Sequence, residues 1–345
     1  VTGFPTALPT SRVPDPRAAP SVRWGVIGTG WIAERFVGAL LRNTGQQVVA
    51  IGSRDVARSR EFAGRFGVSG AYGSYEELVA APDVDVVYVA TPHNAHRPCA
   101  RLVLEAGKHV LVEKPIGLNA AEAQELADLA DERGLFCMEA LWSLFLPKFD
   151  VIRQLMADGV LGTIGTVLAD MGEWFPGSHR ILRADLAGGP LLDLGTYPVM
   201  FANWILGSDL SVTAIGQPHP AGVNGQVGAL LADAAGHQAV VHSTLGGLTP
   251  TTATVAGTSA SLFLDGPFYQ PGTFTLVAAD GSARLRYEEE AVAHEALHFQ
   301  AAEVARCISE GRTQSAIRPL ADSIATLRVI DEIRRQLGIV FAEER

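Results

Sequence analysis

Gly28-Thr29-Gly30-Trp31-Ile32-Ala33 comes directly after a short apolar run, Val22 to Ile27, and opens a segment with Ile32, Phe36, Ala39 and Leu40 at helical spacing. A strand that feeds a helix through two glycines leaves few folds open. The turn needs backbone freedom, and the helix start presents unpaired N–H groups and a positive dipole end. The same unit then repeats along the chain. Gln47 to Ser53 reads as a strand and Asp55 to Phe66 as a helix, and Ser74 caps another helix with Glu77 at its capping-box position. Val84–Ala90 and His109–Val112 are short and β-branched, as buried parallel strands are. Helices at Ala95–Gly107 and from Asn119, then a strand at Leu135–Glu139, continue the alternation. Repeated β-α units predict an α/β Rossmann domain, a parallel sheet with helices on both faces, over residues 22–142.

Beyond Trp142 the pattern changes. A helix near Phe149–Asp158, a strand near Thr163–Met171 and a helix over Asp193–Leu206 precede strands with no helix between them. These lie near residues 211–217, 226–232, 238–244, 252–255, 261–264, 273–277 and 283–287, with the turn signal Asp280-Gly281 before the last. Two helices, near 295–310 and 320–336, close the chain. Residues 143–345 therefore read as an α+β domain with a large, mostly antiparallel sheet. Residues 1–21, with Pro5, Pro9, Pro14, Pro16 and Pro20, read as an extended arm, and its functional reading is to wrap a partner subunit.

Composition narrows the function. The net charge of −10 argues against nucleic acid and anionic membrane as partners. Hydrophobic residues at 48% supply a large core, and no apolar run of about 18 residues predicts a membrane span. Cys99, Cys137 and Cys307 form no metal-ligand or disulfide pattern. The first twenty residues lack the apolar stretch of a secretion signal, so three reduced thiols and a cytoplasmic location are expected.

The glycine turn predicts a dinucleotide pyrophosphate over Gly28, Gly30, Trp31 and Ile32. The end of the second strand then discriminates the ribose. An NAD site carries Asp or Glu there. This chain has Ser53-Arg54, 23 residues beyond Gly30, and Arg58 one helical turn on. A hydroxyl and a guanidinium suit a 2′-phosphate, so NADP is expected over NAD. Asp55 is free to cap the next helix. Lys114, in Glu113-Lys114-Pro115, ends the strand His109–Val112 and faces the crevice where ligands bind in open α/β sheets. It is either a proton donor or electrostatic anchor beside the cofactor, or a surface lysine.

These residues carry a resemblance. GTGWIA at 28–33, the loop Thr91-Pro92-His93-Asn94-Ala95-His96, AGKHVLVEKP at 106–115 and Asp193-Leu194-Gly195-Thr196-Tyr197 together resemble the glucose–fructose oxidoreductase / inositol dehydrogenase / MocA family, over essentially everything after residue 22. Gly73–Leu78, Met138–Trp142 and Leu191–Gly195 resemble its dimeric dihydrodiol / D-xylose dehydrogenase branch. The resemblance implies hydride transfer between the nicotinamide and a carbinol of a sugar, polyol or vicinal diol, with NADP preferred. It implies that Lys114 lies beside nicotinamide and substrate on a bond to Pro115 that can be cis. It places Thr91, His96 and Glu113 with the cofactor and Trp142 with the substrate. It also implies that the sheet of the second domain is open, that this domain, 143–345, binds substrate, and that its outer face joins a homodimer or homotetramer.

Asp193 and Tyr197, spaced i, i+4, share one face if they lie on one helix. A phenol, with a pKa of about 10, needs a cationic neighbour to act as a base near neutrality. The reading is Tyr197 as general acid/base, Lys114 as its electrostatic partner, and Asp193 as an orienting group, a helix cap, or both. Trp174 and Phe175, with His179 and Arg180, either stack on substrate or pack their own loop. Glu295 and His298 read as caps of the penultimate helix. No metal is called for. Where the branch carries arginine in W-T-R-F-x-P, this chain has Leu144, which leaves the substrate open. Two other readings remain: a sugar–sugar oxidoreductase that holds its NADP tightly, and a catalytically silent NADP sensor.

Overall fold

The first strand, β1 (Arg23–Ile27), is followed by α1 (Trp31–Asn43), β2 (Gln47–Gly52), α2 (Val56–Phe66), β3 (Gly70–Tyr72), α3 (Tyr75–Val79), β4 (Val86–Val89), α4 (His96–Glu105), β5 (His109–Glu113), α5 (Ala120–Arg133) and β6 (Cys137–Ala140). In this computed structural model, which describes residues 3–344, the six strands form a parallel sheet in the order β3-β2-β1-β4-β5-β6. Val26, Ile27, Val86–Val89 and Val110–Val112 have no solvent exposure, as strands covered on both faces require. Side-chain caps set the helix starts: Asp55 accepts from Ala57 N, Ser74 from Glu77 N and Asn119 from Glu122 N. The chain order reverses between β1 and β4, and ligands bind open α/β sheets beyond the carboxyl ends of strands at such a point.

The second sheet is preceded by α6 (Pro147–Ala157) and built from β7 (Ile164–Gly172), then, after α7 (Pro190–Asp193) and α8 (Thr196–Leu206), from β8 (Ser211–Pro218), β9 (Asn224–Ala232), β10 (Gln238–Thr244), β11 (Ala253–Gly257), β12 (Ala260–Leu264), β13 (Phe274–Ala278) and β14 (Arg284–Tyr287). Its order is β14-β13-β12-β11-β7-β10-β9-β8, antiparallel except where β7 meets β10. α8 packs on β7 and β10. On the other face the register aligns Leu230, Val240, Leu168, Thr254 and Phe263 in one row, and the four large apolar members of that row are exposed.

Two helices remain, α9 (His298–Ser309) and α10 (Leu320–Leu337). The chain forms two compact units. Residues 14–145 and 292–324 make the one with the parallel sheet, and residues 3–13, 146–291 and 325–344 make the other. Residues 292–324, which the sequence groups with the second domain, thus belong with the first sheet. The reason is physical. α9 packs on α1, Arg42 Nε donates to Glu295 at 3.0 Å, and Arg318 forms a buried ion pair with Glu139 on β6.

One local expectation also changes. The helix anticipated over 193–206 is broken into α7 and α8, so Asp193 ends one helix and Tyr197 lies in the first turn of the next. The break falls at Gly195, where a Cβ would lie 2.6 Å from Leu191 O and 3.0 Å from Ser243 Oγ. Described residues of the N-terminal arm also hydrogen-bond within the chain. Arg12 N donates to Asp150 Oδ2 on α6 at 2.6 Å, and Gln154 Nε2 to Thr10 O. In the other unit Arg306 on α9 donates to Asp15 O and Gln46 to Pro20 O.

Candidate active site

The glycine turn is built for a backbone approach. Gly28 has φ 107° and its N donates to Gly52 O at 2.9 Å, and a Cβ there would lie 2.4 Å from Ala90 O. Gly30 is the N-cap of α1, no side chain caps that helix, and a Cβ at Gly30 would meet nothing within 4 Å. The N–H groups at the start of α1, over Trp31 and Ile32, therefore face an open cradle suited to a pyrophosphate. At the end of β2, Ser53 is buried, and its hydroxyl donates to Asp55 O and accepts from Asp55 N. Asp55 spends its carboxylate on capping α2. Arg54 and Arg58 are exposed beside it. The Ser53 hydroxyl is thus engaged by its own turn, while Arg54 and Arg58 present the cations at this strand end.

At the end of β5 the chain is clamped on both sides of a cis Lys114–Pro115 bond. Glu113 Oε2 accepts from Lys114 N at 3.1 Å, and Glu113 Oε1 accepts from Tyr88 Oη at 2.5 Å. The buried His96 ring spans two carbonyls, with Nδ1 2.6 Å from Pro115 O and Nε2 2.8 Å from Thr91 O. Glu139 Oε1 accepts from Ile116 N at 3.1 Å, while its Oε2 takes Arg318 and Ser323. Register places Ile27 beside Val89 and Val89 beside Val112, so Lys114 leaves the same sheet edge as the glycine turn, two strand spacings or about 10 Å across. Trp142 follows β6 and is buried to 2% exposure. The His294 ring lies over it at 5.4 Å and 29°, and edge-on to Trp31 at 4.7 Å.

The second unit holds the remaining predicted residues. Asp193 is ion-paired with Arg180 at 3.0 Å. Tyr197, 5% exposed, stacks on Tyr269 at 4.3 Å and 29°. Tyr269 Oη accepts from Gln270 Nε2, and the fully buried Lys148 donates to Gln270 O. Burial pushes the Lys148 ammonium down to about 8, against the pull of Glu289 and Asp265. Burial pushes the Tyr269 phenol up. Phe175 stacks on His179 at 4.4 Å, so that pair packs within its loop, whereas Trp174 stands 69% exposed. Burial, then Arg180, holds His179 below the usual imidazole range.

Sequence reasoning misses Tyr269, His294 and Arg318. Each sits in an irregular or returning segment with no motif around it.

Comparison with known proteins agrees with this architecture. Residues 22–141 match the model of the oxidoreductase family with NAD-binding Rossmann fold, GFO/IDH/MocA, and residues 149–263 match the GFO/IDH/MocA C-terminal domain. The chain therefore belongs to the GFO/IDH/MocA family of oxidoreductases. Among its relatives is the trans-1,2-dihydrobenzene-1,2-diol dehydrogenase of Mus musculus, 35% identical over 337 residues that cover 94% of this chain and 99% of that one. The Bos taurus enzyme of the same name is 34% identical over 338 residues, with the same coverage. A solved 3-ketoreductase from Actinomadura kijaniata, in complex with NADP and TDP-benzene, superposes with a TM-score of 0.82 at 29% identity, covering 91% of this chain and 97% of its own. A levoglucosan dehydrogenase shares the fold at a TM-score of 0.83 and 20% identity, over 92% and 97%. The protein is an enzyme, a nicotinamide-dependent oxidoreductase. Among the described residues, no helix is long and apolar enough to cross a membrane.

Proposed function

We propose that this chain is an NADP-dependent dehydrogenase that moves a hydride between the nicotinamide and a carbinol carbon of a sugar, polyol or vicinal diol. The observation that carries the reading is the clamped Glu113-Lys114-Pro115 segment at the same sheet edge as the glycine turn, where no side chain caps α1 and the space around Gly30 is open. A surface lysine needs no such support. Preference for NADP is favoured by Arg54 and Arg58 and by the commitment of Asp55 to a helix cap. A carbinol substrate is favoured by the diol dehydrogenases and the 3-ketoreductase that the chain resembles.

When bound, the nicotinamide accepts or returns the hydride. Lys114 steadies the charge that develops on the carbinol oxygen, and Tyr197 takes or returns the hydroxyl proton. Asp193, ion-paired with Arg180, orients polar groups near Tyr197. Gly28, Gly30, Trp31 and Ile32 bind the pyrophosphate, Thr91, His96 and Glu113 shape the nicotinamide end, and Trp142 and Trp174 offer ring faces to the substrate. Phe175, stacked on His179, contributes through the shape of its loop. The exposed row Leu168, Leu230, Val240 and Phe263 favours pairing of two copies through the open sheet, in a cytoplasmic homodimer or homotetramer.

The test is a panel of aldoses, inositols and trans-diols assayed for NADPH formation by the absorbance of the reduced ring. Turnover of at least one class with NADP is expected. Inactivity across the panel in both directions, despite bound NADPH, favours the silent sensor; NADP that survives dialysis favours transfer between two sugars.

A further inference from the structure

We infer that His294 is a further cofactor-binding residue, which contacts the nicotinamide half of the dinucleotide through a ring nitrogen. This rests on the proposed nicotinamide site. His294 belongs to the stretch 292–297, outside both family-matched segments, and no motif surrounds it. Two observations relate it to that site. One is Trp31, the first residue of the helix that takes the pyrophosphate, whose ring is 4.7 Å away and edge-on. The other is Lys114, whose ammonium is among the charges acting on the imidazole. The nicotinamide half must run from the start of α1 toward Lys114, and His294 lies beside the α1 end of that path.

The side chain is held in place. Its ring lies over Trp142 at 5.4 Å and 29°, and Glu295, the next residue, is anchored to Arg42 on α1. Ala293, the residue before, has φ 47°, a left-handed conformation that an alanine adopts at a cost. The turn carries that strain while it presents the ring to Trp31 and Trp142. Burial, with Arg35 and Lys114 nearby, pushes the imidazole down to about 4. It is therefore neutral at physiological pH, with one N–H to donate and one nitrogen to accept. On a wall otherwise made of two indoles, that is the polar handle for a ribose hydroxyl or a phosphate oxygen.

The experiment measures NADPH and NADP dissociation constants by titration calorimetry for wild type, His294→Phe and His294→Gln. Phenylalanine keeps the aromatic packing and removes both nitrogens, and glutamine restores hydrogen bonding. His294→Phe is expected to weaken binding about tenfold, with His294→Gln recovering part of the loss. His294→Phe affinities within about threefold of wild type overturn the inference, since loss of a bond to the dinucleotide should exceed that. So does an equal loss in both variants, which points to packing alone. A wild type that binds neither nucleotide instead refutes the nicotinamide site itself, so the two failures are told apart.

Discussion

Arg318 donates to Glu139 Oε2 at 2.6 Å, with both side chains at 2% exposure or less, and the same carboxylate receives Ile116 N two residues past Lys114. A group 179 positions along the chain from that glutamate thus braces the backbone just behind Lys114.

Removing one partner of such a pair leaves the other charge buried and unanswered. Arg318→Ala should cost about 3–5 kcal/mol of stability. Denaturant melts compared with wild type check this. A loss no larger than that of a surface arginine would show that water reaches Glu139 and that the pair is dispensable.

Lys114→Ala should lower kcat by about 100-fold or more while NADPH binding stays within a few-fold of wild type. Steady-state kinetics and a fluorescence titration separate the two quantities. Equal collapse of binding and turnover would make Lys114 a cofactor anchor only.

Tyr197→Phe keeps the stack on Tyr269 and removes only the hydroxyl. Its rate should fall by about 100-fold or more, and the pH dependence of kcat/KM should lose a limb. A pH profile that overlays wild type assigns the proton transfer to another group.

The fold is legible where structure is local. The glycine turn, the Asn119 and Ser74 caps and the β-branched strands each announce themselves within a few residues. The same holds for the Glu113-Lys114-Pro115 block, whose chemistry lies in adjacent residues. Long-range pairing is not legible. Nothing near Arg318 says that its partner is Glu139, and nothing in Ala293–Leu297 says that it folds back along α1. The helix break at Leu194-Gly195 does leave a local signal, Pro198, which has no N–H to give to Leu194 O, but the helical spacing of the apolar residues around it masks that signal. Ser53 reads as a free hydroxyl because its bonds to Asp55 depend on the turn geometry and not on the residue type.

Arg54→Ala should reduce the preference for NADP over NAD about tenfold, and adding Ser53→Asp should invert it. The ratio of kcat/KM for the two cofactors is the measurement. Retained selectivity in the double variant would place the 2′-phosphate elsewhere.

Lys148 gives a pH signature. Its ordinary value of 10.5 in the unfolded chain falls to about 8 in the fold. The unfolded state therefore binds more protons between those values, and stability should rise as pH increases from about 8 to 10.5. Below 8 both states are charged and the penalty is constant. Lys148→Met should flatten this rise in denaturant melts, and an unchanged slope would mean that another group titrates there.

The pairing of Arg318 with Glu139 also sets an order on biosynthesis. A nascent chain that has emerged only through β6 exposes a glutamate whose counter-ion has not yet been made, so the dinucleotide-binding half cannot reach its final stability while the ribosome still holds the last helices. Messages cut short before Arg318 should yield a product with every familiar nucleotide motif and no durable fold to display them.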